Sequence, residues 1–448
     1  MNSIRNALVC SLAMIGSAHA ALTADEAKQL GSTLTVVGAE KAGNKDGTIP
    51  EYTGGLTTAP AGFNKAKGVR PDPFANEKPL FSIDAKNMDK YADKLSDGTK
   101  AMMKEYPNYR IDVYPTHRTA AYPKFVQEAT LKNAVSAKTS PDGMSLTGAH
   151  AGVPFPIPKT GFEAMWNHLT RFTGQTIAMP RYHAYNVDAA GKVTVASEAN
   201  YYQEWPYYSP AKTESDVYSK MRTFYTAPAR RAGEAIMVVE PVDLSAKDRR
   251  AWQYLPGQRR VRLAPDIAYD TPNPSTAGTS TYDDTYIFNG KMDRYEFKLV
   301  GKREMYVPYN NYRVMYSDNI AAQLGPKFIN PEAMRYELHR VWVVEAKLKD
   351  GKRHVYPHRV FYLDEDSWTA IASDAYDARG QLWRVGFSFI APSYDVPAPA
   401  SPATGQYDLV NGSYFVNLLP GADGMQQSDK ALSDAEWSAD VLAGRGIR

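Results

Sequence analysis

The second half of the sequence is a succession of segments in which apolar and polar residues alternate, joined in pairs by short turn sequences. Clear examples of these turns are residues 188–191 (DAAG), 349–352 (KDGK) and 377–380 (DARG). Such alternation is typical of strands that bury one face, and short connections rich in Gly and Asp join antiparallel neighbours. Because no helix-length segments separate these strands, as a parallel sheet requires, the pattern predicts an antiparallel sheet.

Composition supports a β-rich chain with some helices. Aromatic residues make up 12% of the sequence, which also contains 31 glycines and 30 prolines. Aromatic residues favour strands, whereas Gly and Pro favour the turns between them. About ten strands and several short helices, including one over Pro123–Ala137, therefore predict an α+β fold that is mainly antiparallel β.

One segment before these strands has a clear helical period. In Thr160–Phe172, apolar residues recur every three or four positions and share one face of a helix. One interpretation is a helix packed on the sheet. The other is a helix that plugs an open barrel and lines an apolar cavity. The residues alone leave both interpretations open.

The N-terminus has the features of a secretory signal peptide. Arg5 provides a positive charge, Ala7–Ile15 is a short apolar run, and Ala18–Ala20 fits a small-residue cleavage site. Cleavage after Ala20 would remove Cys10, the one cysteine of the sequence, so the mature chain would have no thiol for a disulfide. No later segment approaches the roughly 18 apolar residues of a transmembrane helix. We therefore expect a periplasmic protein, and peripheral contact with the outer membrane is compatible with this location.

Charge and motifs narrow the functional classes. The sequence has 52 basic and 49 acidic residues, a net charge of +3, and no basic run, so a nucleic-acid partner is not expected. It has no G-x-S-x-G nucleophile turn, no H-E-x-x-H zinc motif and no glycine-rich phosphate loop. The sequence therefore predicts a protein that is not an enzyme and has no cofactor. A hydrolase of an envelope lipid or glycan is the weaker alternative.

Histidines and paired carboxylates are the remaining candidates for chemistry. His339, His354 and His358 lie on or near two neighbouring predicted strands and would form a metal site only if their side chains converged. Asp283–Asp284 and Asp364–Asp366 fall at predicted turns, where we expect solvated acids rather than paired acid–base groups or calcium ligands. The favoured prediction is that the chain has neither a metal site nor catalytic residues.

A predicted hairpin at residues 251–265, AWQYLPGQRRVRLAP, combines aromatic side chains with arginines. With a turn at residues 255–258, Tyr254 pairs with Arg259 and Trp252 pairs with Val261. One interpretation is a half-buried hairpin with a cation–π contact between Tyr254 and Arg259. In the other, the apolar face lines a lipid cavity, and an anionic headgroup or an acidic partner is contacted by Arg259, Arg260 and Arg262.

Four blocks of the sequence resemble one known family. They are Trp252–Pro265 of this hairpin, Gly38–Gly55, Arg294–Tyr312 and Arg340–Ala346. Together they are similar to a family of Gram-negative bacterial proteins described as an outer-membrane lipoprotein-sorting-like domain of unknown function, related to the Lol-type (LolA/LolB) carriers. The blocks are spread through most of the mature chain.

The resemblance implies a fold and a function. The fold is an open half-barrel of about ten strands, LolA/LolB-like, with covering or plugging helices around an apolar cavity that takes acyl chains. The function is that of a periplasmic carrier for a hydrophobic ligand in outer-membrane lipid or lipoprotein trafficking. Family members are often found with outer-membrane proteins and RND-type exporters, which implies such partners. This chain is much longer than the small Lol carriers, which puts a lipoprotein as cargo in doubt.

On this basis the chain divides into a signal peptide (1–20), an irregular and helical N-terminal wrap (21–160), a half-barrel with its plug helix (161–420) and a C-terminal tail (421–448). Residues 21–448 are expected to form one structural domain. The candidate cavity residues are aromatic or methionine side chains on the predicted strands and helix, namely Phe162, Met165, Trp166, Trp252, Tyr254, Trp342, Trp383, Phe387 and Phe389.

A second functional class fits the same pattern. It is a non-enzymatic envelope assembly protein whose barrel is filled and whose arginine face docks an outer-membrane or RND-type partner. A hollow apolar cavity favours the carrier, whereas a filled core with an exposed basic and aromatic patch favours the assembly protein. A cleft with converging histidines and carboxylates favours the hydrolase.

Overall fold

The computed structural model describes residues 22–265, 267, 269–276 and 278–445, so the predicted signal peptide lies outside the described residues. The helices in this part of the chain are α1 Ala24–Ala27, α2 Asp97–Glu105, α3 Lys124–Ser136, α4 Gly161–Leu169, α5 Tyr312–Met315 and α6 Ala439–Arg445. The strands are β1 Phe81–Asp84, β2 Arg110–Val113, β3 Lys138–Thr139, β4 Leu146–Thr147, β5 Thr176–Val187, β6 Val193–Glu204, β7 Val217–Ala227, β8 Ala235–Pro241, β9 Arg250–Leu255, β10 Arg260–Leu263, β11 Tyr295–Pro308, β12 Tyr336–Leu348, β13 His358–Asp364, β14 Ala370–Tyr376, β15 Leu382–Ser388, β16 Thr404–Asp408, β17 Ser413–Leu419 and β18 Gln426–Ser428.

Sixteen of the described strands form one sheet. Its main antiparallel path runs β11-β12-β13-β14-β15-β16-β17-β5-β6-β7-β8-β9-β10. The antiparallel pair β1–β2 joins the start of β12 through β2, and β18 pairs with the first part of β5. In the described residues the end strands β10 and β11 are not paired with each other, so the sheet does not close into a barrel. The mainly antiparallel fold with some helices is confirmed.

The strand count is larger than the predicted ten or so, because several strands lack the alternating pattern. Residues 404–408, TGQYD, show no alternation, yet all five are buried between β15 and β17. Strands β1, β2 and β18 have only three or four residues each, too few to show a period. The short strands β2 and β18 form because they pair with β12 and β5, which are distant in sequence.

The two halves of the sheet meet where β17 pairs with β5. This contact includes Tyr414 opposite Val187 and Val416 opposite Tyr185. It places β10 and β11, which are consecutive in sequence, at opposite ends of the main path. The segment between them must therefore pass from one end of the sheet to the other, and the structure describes its residues 264–265, 267, 269–276 and 278–294. We call it the crossover loop.

Helix α4 occupies the space inside the curve of the sheet. Thr160 caps it by accepting a hydrogen bond from the Glu163 backbone N–H at 3.2 Å. Eight of its nine residues are buried, and the Trp166 indole donates to the Gly143 carbonyl at 2.9 Å. One hydrophobic cluster combines α4 with strands from both ends of the sheet, β7–β9 and β11–β13. The sheet therefore curls around the helix.

A second hydrophobic cluster lies under helix α2 and the early part of the chain. Met102 and Met103 of α2 are fully buried against side chains that include Phe387 and Phe389. Helix α2 begins with Ser96 as its cap, and the Gly98 N–H donates to the Asp374 carboxylate at 3.0 Å. Residues before α3 therefore cover part of the sheet. In the described part of the chain, no helix has both the length and the apolar character needed to cross a membrane.

The C-terminal helix α6 covers a third apolar area. Leu442 of α6 packs with Ala235, Met237 and Tyr254 of strands β8 and β9. The turn before α6 starts after Ser433, which forms a capping box with Glu436. The apolar face of the β9–β10 hairpin is therefore covered by the end of the same chain.

Replacing Trp166 by Ala should destabilise the protein by about 3–5 kcal/mol, because a fully buried indole would leave a cavity inside the sheet. Chemical denaturation followed by circular dichroism measures this change. Leu131→Ala, on the exposed side of α3 at 44% exposure, is the control and should change stability by less than about 0.5 kcal/mol. A similar small loss in both variants would contradict the central position of α4.

The buried carboxyl of Asp374 should make stability fall as the pH rises. Burial raises the pKa of Asp374 to about 7, despite the hydrogen bond from the Tyr362 hydroxyl. An unfolded Asp has a pKa near 3.9, so the folded chain holds a proton that the unfolded chain releases between about pH 4 and pH 7. The loss across this window is up to about 4 kcal/mol.

Asp374→Asn keeps the shape of the side chain but cannot titrate. The free energy of unfolding of this variant should therefore fall less between about pH 4 and pH 7 than that of the wild type. The measurement is the free energy of unfolding at about pH 4.5 and about pH 7.5. An identical slope in the wild-type protein and the variant would show that Asp374 does not hold the proton.

Candidate functional site

The predicted cavity residues lie in several different places. Phe162, Met165, Trp166 and Trp342 belong to the cluster around α4. The other residues lie outside that cluster, with Phe387 and Phe389 beneath α2, Trp252 and Tyr254 beneath α6, and Trp383 beside Asp408. The structure therefore does not bring the nine residues to one surface.

The β9–β10 hairpin has a different register from the predicted one. Tyr254 lies opposite Val261, and Trp252 lies opposite Leu263. The prediction was wrong because Pro256–Gln258 forms a turn of 3-10 helix and Arg259 follows it in a left-handed conformation, with φ of 49°. This longer turn moves Arg259 out of the strand, away from Tyr254. The cation–π contact on this hairpin is instead between Arg250 and Trp252, at 5.7 Å.

The turn acids are buried, contrary to the expectation of solvated loops. Asp283 and Asp284, on the crossover loop, accept hydrogen bonds from the two Nη atoms of Arg359 at 3.0 and 2.8 Å. Asp366 receives two hydrogen bonds from Arg118. Burial alone would raise the pKa of Asp283, but Arg359 and His354 outweigh it and hold that pKa well below its usual value. The expectation failed because these partners are far away in sequence.

The three histidines considered for a metal site do not converge. His354 contacts Asp283 at 3.0 Å, and His358 contacts Glu345 at 3.0 Å. His339 contacts Glu337 at 3.1 Å. In the described residues, the group with the spacing of metal ligands is instead formed by His339, Asp364 and Asp366, with one ligand atom from each lying within 4.8 Å of the others.

A cavity of about 60 Å³ lies between the sheet and the crossover loop. Its walls come from inward-facing residues of β5–β8, the loop itself and the end of β17. Met221, Ile236, Val238, Ile267 and Leu418 form the apolar part of the lining. The polar part carries hydroxyl, amide and ionic groups, namely Tyr182, Tyr201, Gln203, Ser219, Thr223, Tyr225, Glu240, Arg249, Asn273, Ser275, Tyr282, Thr285, Tyr286, Asn289 and Asn417.

Hydrogen bonds among these side chains connect the sheet to the loop. The Tyr201 and Tyr286 hydroxyls contact each other, and Tyr286 also donates to the Gln203 amide oxygen at 3.2 Å. Gln203 in turn donates to Ser219 at 2.9 Å. Burial raises the pKa of Tyr286 to about 12, so its hydroxyl stays protonated at neutral pH. This part of the wall therefore presents neutral donors and acceptors.

Arg171 lies just after α4 and packs against this network. Its guanidinium is 5.1 Å from the centre of the Tyr286 ring, and its Nη1 donates to the His168 carbonyl at 2.7 Å. The residue is only 6% exposed, and its Nε–H has no hydrogen-bond partner in the structure. Burial lowers the pKa of Arg171 to about 10. It remains a cation at neutral pH, and among the described residues it forms no ion pair.

The C-terminal end of α4 compensates only part of this charge. A helix end carries roughly half an elementary negative charge, and Arg171 contacts it through the His168 carbonyl. The rest of the environment is tyrosine rings and hydroxyls, which stabilise a cation without neutralising it. By contrast, Arg249, which lines the cavity, is paired with Glu240 at 2.7 Å. Arg171 therefore stands out as a buried positive charge that packs on Tyr286, a residue of the cavity wall.

Sequence reasoning did not select Arg171 or the tyrosine wall. The helical period of α4 ends near Arg171, and an arginine after a helix is ordinarily an exposed capping residue. The inward positions of β6 and β7 do alternate, but Tyr201, Gln203 and Ser219 are polar enough to suggest a solvent-facing side. The one available signal was an arginine two residues after a helix with a continuous apolar face.

Tyr286→Phe should cost about 0.5–1.5 kcal/mol, because it removes the hydroxyl that contacts Tyr201 and donates to Gln203, while those two residues keep their hydrogen bond to each other. Denaturant unfolding monitored by circular dichroism gives the value. Tyr202→Phe is the matched control, since that hydroxyl donates to the Lys430 carbonyl at the surface, and its effect should stay below about 0.5 kcal/mol. Equal effects would mean that the Tyr201–Tyr286 network does not hold the crossover loop.

Comparison with known proteins places this architecture in a family. A family model described as a protein of unknown function (DUF1329) matches residues 82–443. An uncharacterized protein of Pseudomonas aeruginosa is 42% identical over 434 residues, which span 94% of this chain and 91% of that protein. The resemblance inferred from the four sequence blocks is thus confirmed at the level of the family.

Two solved structures are similar in fold. One is a domain named for outer membrane lipoprotein sorting, from Vibrio parahaemolyticus, with 16% identity and a TM-score of 0.43, covering 63% of this chain and 97% of that chain. The other is a DUF1329 family protein from Desulfovibrio piger, with 17% identity and a TM-score of 0.41, covering 60% of this chain and 92% of that chain. From the family match and the Pseudomonas relative, we conclude that the chain belongs to the DUF1329 family of proteins of unknown function.

Proposed function

We propose that the chain is a non-enzymatic periplasmic carrier that binds an amphiphilic molecule, with a negatively charged headgroup beside Arg171 and an apolar chain along the inner face of β7 and β8. The observation that supports this most directly is the buried guanidinium without a carboxylate partner. A buried charge is costly unless it is paired, so the site favours an anion.

The cavity has the mixed lining that an amphiphile requires. Hydroxyl and amide groups surround the end near Tyr201 and Tyr286, whereas Met221, Ile236 and Val238 form an apolar strip on two adjacent strands. Ligand sites of this kind combine a mainly apolar wall with a few polar groups that fix orientation. The wall offers no nucleophile next to a base, so the proposed role is binding and transfer rather than chemistry.

The described conformation corresponds to the closed form of such a carrier. Ligand cavities usually measure about 300–1,000 Å³, whereas this one is about 60 Å³ and has room for a few water molecules or a small headgroup. An acyl chain would therefore have to displace the crossover loop or α4. Each buried CH₂ contributes about 0.8 kcal/mol, so a long chain could offset the cost of that displacement.

The crossover loop is the element suited to move. It follows one edge strand and precedes the other, so its ends are anchored while its middle lies on the tyrosine wall. Arg359 holds it through Asp283 and Asp284 at the β13 side. At the β7 side the Tyr225 hydroxyl contacts Ser275 at 2.5 Å. If the loop opened at the contact between Tyr225 and Ser275, the cavity would enlarge while the ion pairs of Arg359 with Asp283 and Asp284 stayed intact.

A second candidate function rests on the tip of the β9–β10 hairpin. Arg259, Arg260 and Arg262 are exposed at the end of the main sheet, next to Leu263, which is 63% exposed. A basic patch with an exposed apolar residue on an edge strand can dock an acidic segment of another protein. An outer-membrane or RND-type partner would supply such a segment. This docking role is compatible with a carrier, because delivery requires an acceptor.

The carrier is tested by binding of two fluorescent probes that differ only in headgroup, a fatty acid and the corresponding fatty alcohol. The wild-type protein should bind the acid more tightly. Arg171→Met should weaken acid binding roughly 10–100-fold, because a charge-assisted hydrogen bond contributes about 1.5–3 kcal/mol. Arg171→Lys is the matched control and should retain most of the affinity, and neither variant should alter alcohol binding by more than a few-fold.

Native mass spectrometry of protein purified from the periplasm without detergent complements this test and identifies bound lipid. Circular dichroism checks that each variant is folded. An apo mass together with no uptake of either probe would refute the carrier. Equal loss of acid and alcohol binding in Arg171→Met would refute the headgroup assignment while leaving the carrier intact.

A further inference from the structure

A second buried polar group lies on the opposite side of the sheet from α4, at the turn between β13 and β14. Glu337 and His339 of β12 share one face of the strand, and Asp364 at the end of β13 is opposite Val341 of the same face. Asp366 follows in the turn. His339, Asp364 and Asp366 are 1%, 0% and 3% exposed, and one ligand atom from each lies within 4.8 Å of the others.

Asp364 is a buried carboxylate with no cationic partner among the described residues. Its Oδ2 accepts hydrogen bonds from the Ser367 hydroxyl at 2.6 Å, the Ser367 N–H at 2.9 Å and the Tyr309 hydroxyl at 3.2 Å. Its Oδ1 is fully buried and has no partner. Buried carboxylates are ordinarily paired with a cation or bound to a metal, so this oxygen is a position where a cation is expected.

His339 is held in the way that metal-ligating histidines are held. Its Nε2 lies 3.1 Å from Glu337, whose oxygens also accept from Asn310 and Arg335. Because Glu337 acts as an acceptor, Nε2 carries the hydrogen, and Nδ1 is the ring nitrogen that remains as a metal ligand. The ring stacks on Tyr309 at 3.7 Å, which fixes its plane. Histidine ligands usually donate their second N–H to a carboxylate in this manner.

Asp366 is oriented by a different partner. Arg118 donates from Nε and Nη2 to its two oxygens, at 2.9 and 2.7 Å. Each carboxylate oxygen has two lone pairs, so one on each oxygen remains for another ligand. All three side chains are thus positioned by neighbouring groups, and the outer contacts of a metal site are already formed.

We propose that His339, Asp364 and Asp366 form a binding site for a divalent transition-metal ion, with Zn²⁺ as the best match. One imidazole nitrogen and two carboxylate oxygens are ligands that Zn²⁺ accepts, and a water molecule would complete four-coordination. Calcium and magnesium prefer all-oxygen sites, so the imidazole disfavours them. The site is separate from the cavity beside Arg171 and does not depend on the carrier function.

The role of this metal would be structural. Arg118 also contacts the carbonyl of Lys41, at 3.3 Å, and lies over the ring of Tyr52 at 5.3 Å. The Tyr122 hydroxyl donates to the Asp366 carbonyl at 3.0 Å. The turn is therefore where the early part of the chain is attached to the sheet. A metal there would fix Asp366, and through Arg118 the N-terminal segment, against β12 and β13.

The test is zinc binding by the purified full-length protein after removal of metal with a chelator. Competition with a chromophoric zinc indicator gives the affinity and stoichiometry, and the visible absorption of Co²⁺ in place of Zn²⁺ reports directly on the ligands. The wild-type chain should bind one equivalent, with a rise in its unfolding temperature. Asp364→Asn and His339→Gln should lose the site.

Glu337→Gln should weaken zinc binding roughly 10–100-fold, since it removes the carboxylate that orients the histidine. His358→Gln is the matched control, because this half-exposed histidine lies at the far end of the same strand pair, and it should bind zinc as the wild type does. If circular dichroism shows that Asp364→Asn is unfolded, the Co²⁺ spectrum of the wild type and the zinc affinity of Glu337→Gln still test the proposed site.

Three outcomes would overturn the proposal. The first is a wild-type chain that binds no Zn²⁺ and no Co²⁺, which would mean that Asp364 carries only a proton. The second is zinc affinity that is unchanged in Asp364→Asn, His339→Gln and Glu337→Gln. The third is binding of Ca²⁺ alone, which would exclude a role for the imidazole.

Discussion

The pairing of β17 with β5 is the contact on which the rest of the structure depends. Without it, β5–β10 and β11–β17 would be two separate sheets, each with an additional open edge. With it, β10 and β11 are held at opposite ends of the main path, and the segment between them has to cross the inner face. The cavity, its tyrosine wall and its closure by the crossover loop all follow from this one junction, because they lie where the loop meets the strands beside it.

Buried arginines link the irregular segments to this sheet. The described residues contain no cysteine, so no disulfide performs that function. Instead Arg359 joins the crossover loop to β13, Arg118 joins the turn at Asp366 to the N-terminal segment, and Arg70 pairs with Asp395 at 2.7 Å while donating to the Met425 carbonyl. Removing one partner of such a pair typically costs about 3–5 kcal/mol, since the other charge is left buried. Arg171 is different, because it lacks such a partner.

The sequence allowed most of the regular strands to be predicted, because their alternation is a local property. Strands β5 and β6 flank the turn predicted at residues 188–191, β14 and β15 flank the turn predicted at 377–380, and the helix predicted at 160–172 is present as α4. Strand β16 was missed because its TGQYD sequence becomes a strand only between two neighbours. The register of the β9–β10 hairpin was wrong because a single left-handed residue, Arg259, lengthens the turn.

The site was harder to predict than the fold. Aromatic residues were expected to line one cavity. Period-two alternation shows which residues share a face of a strand, but it does not show which hydrophobic cluster that face joins once the sheet curls. Phe387 and Tyr254 were therefore grouped with Trp166, although the three residues lie in separate clusters. The polar character of the wall at Tyr201 and Gln203, and the burial of Asp364, depend on partners that no local pattern identifies, such as Tyr286, 83 residues from Gln203, and Tyr309, 55 residues from Asp364.

The junction between β5 and β17 also determines the order in which the chain can fold. Strand β5 is synthesised long before β17, so this edge of β5 has no permanent partner until β17 has been made. Unpaired edges of this kind promote association between chains, and sheets with distant contacts form slowly. The nascent protein would therefore pass through a period in which β5–β9 are formed and one edge remains open, and a chaperone that binds extended segments would be most useful during that interval.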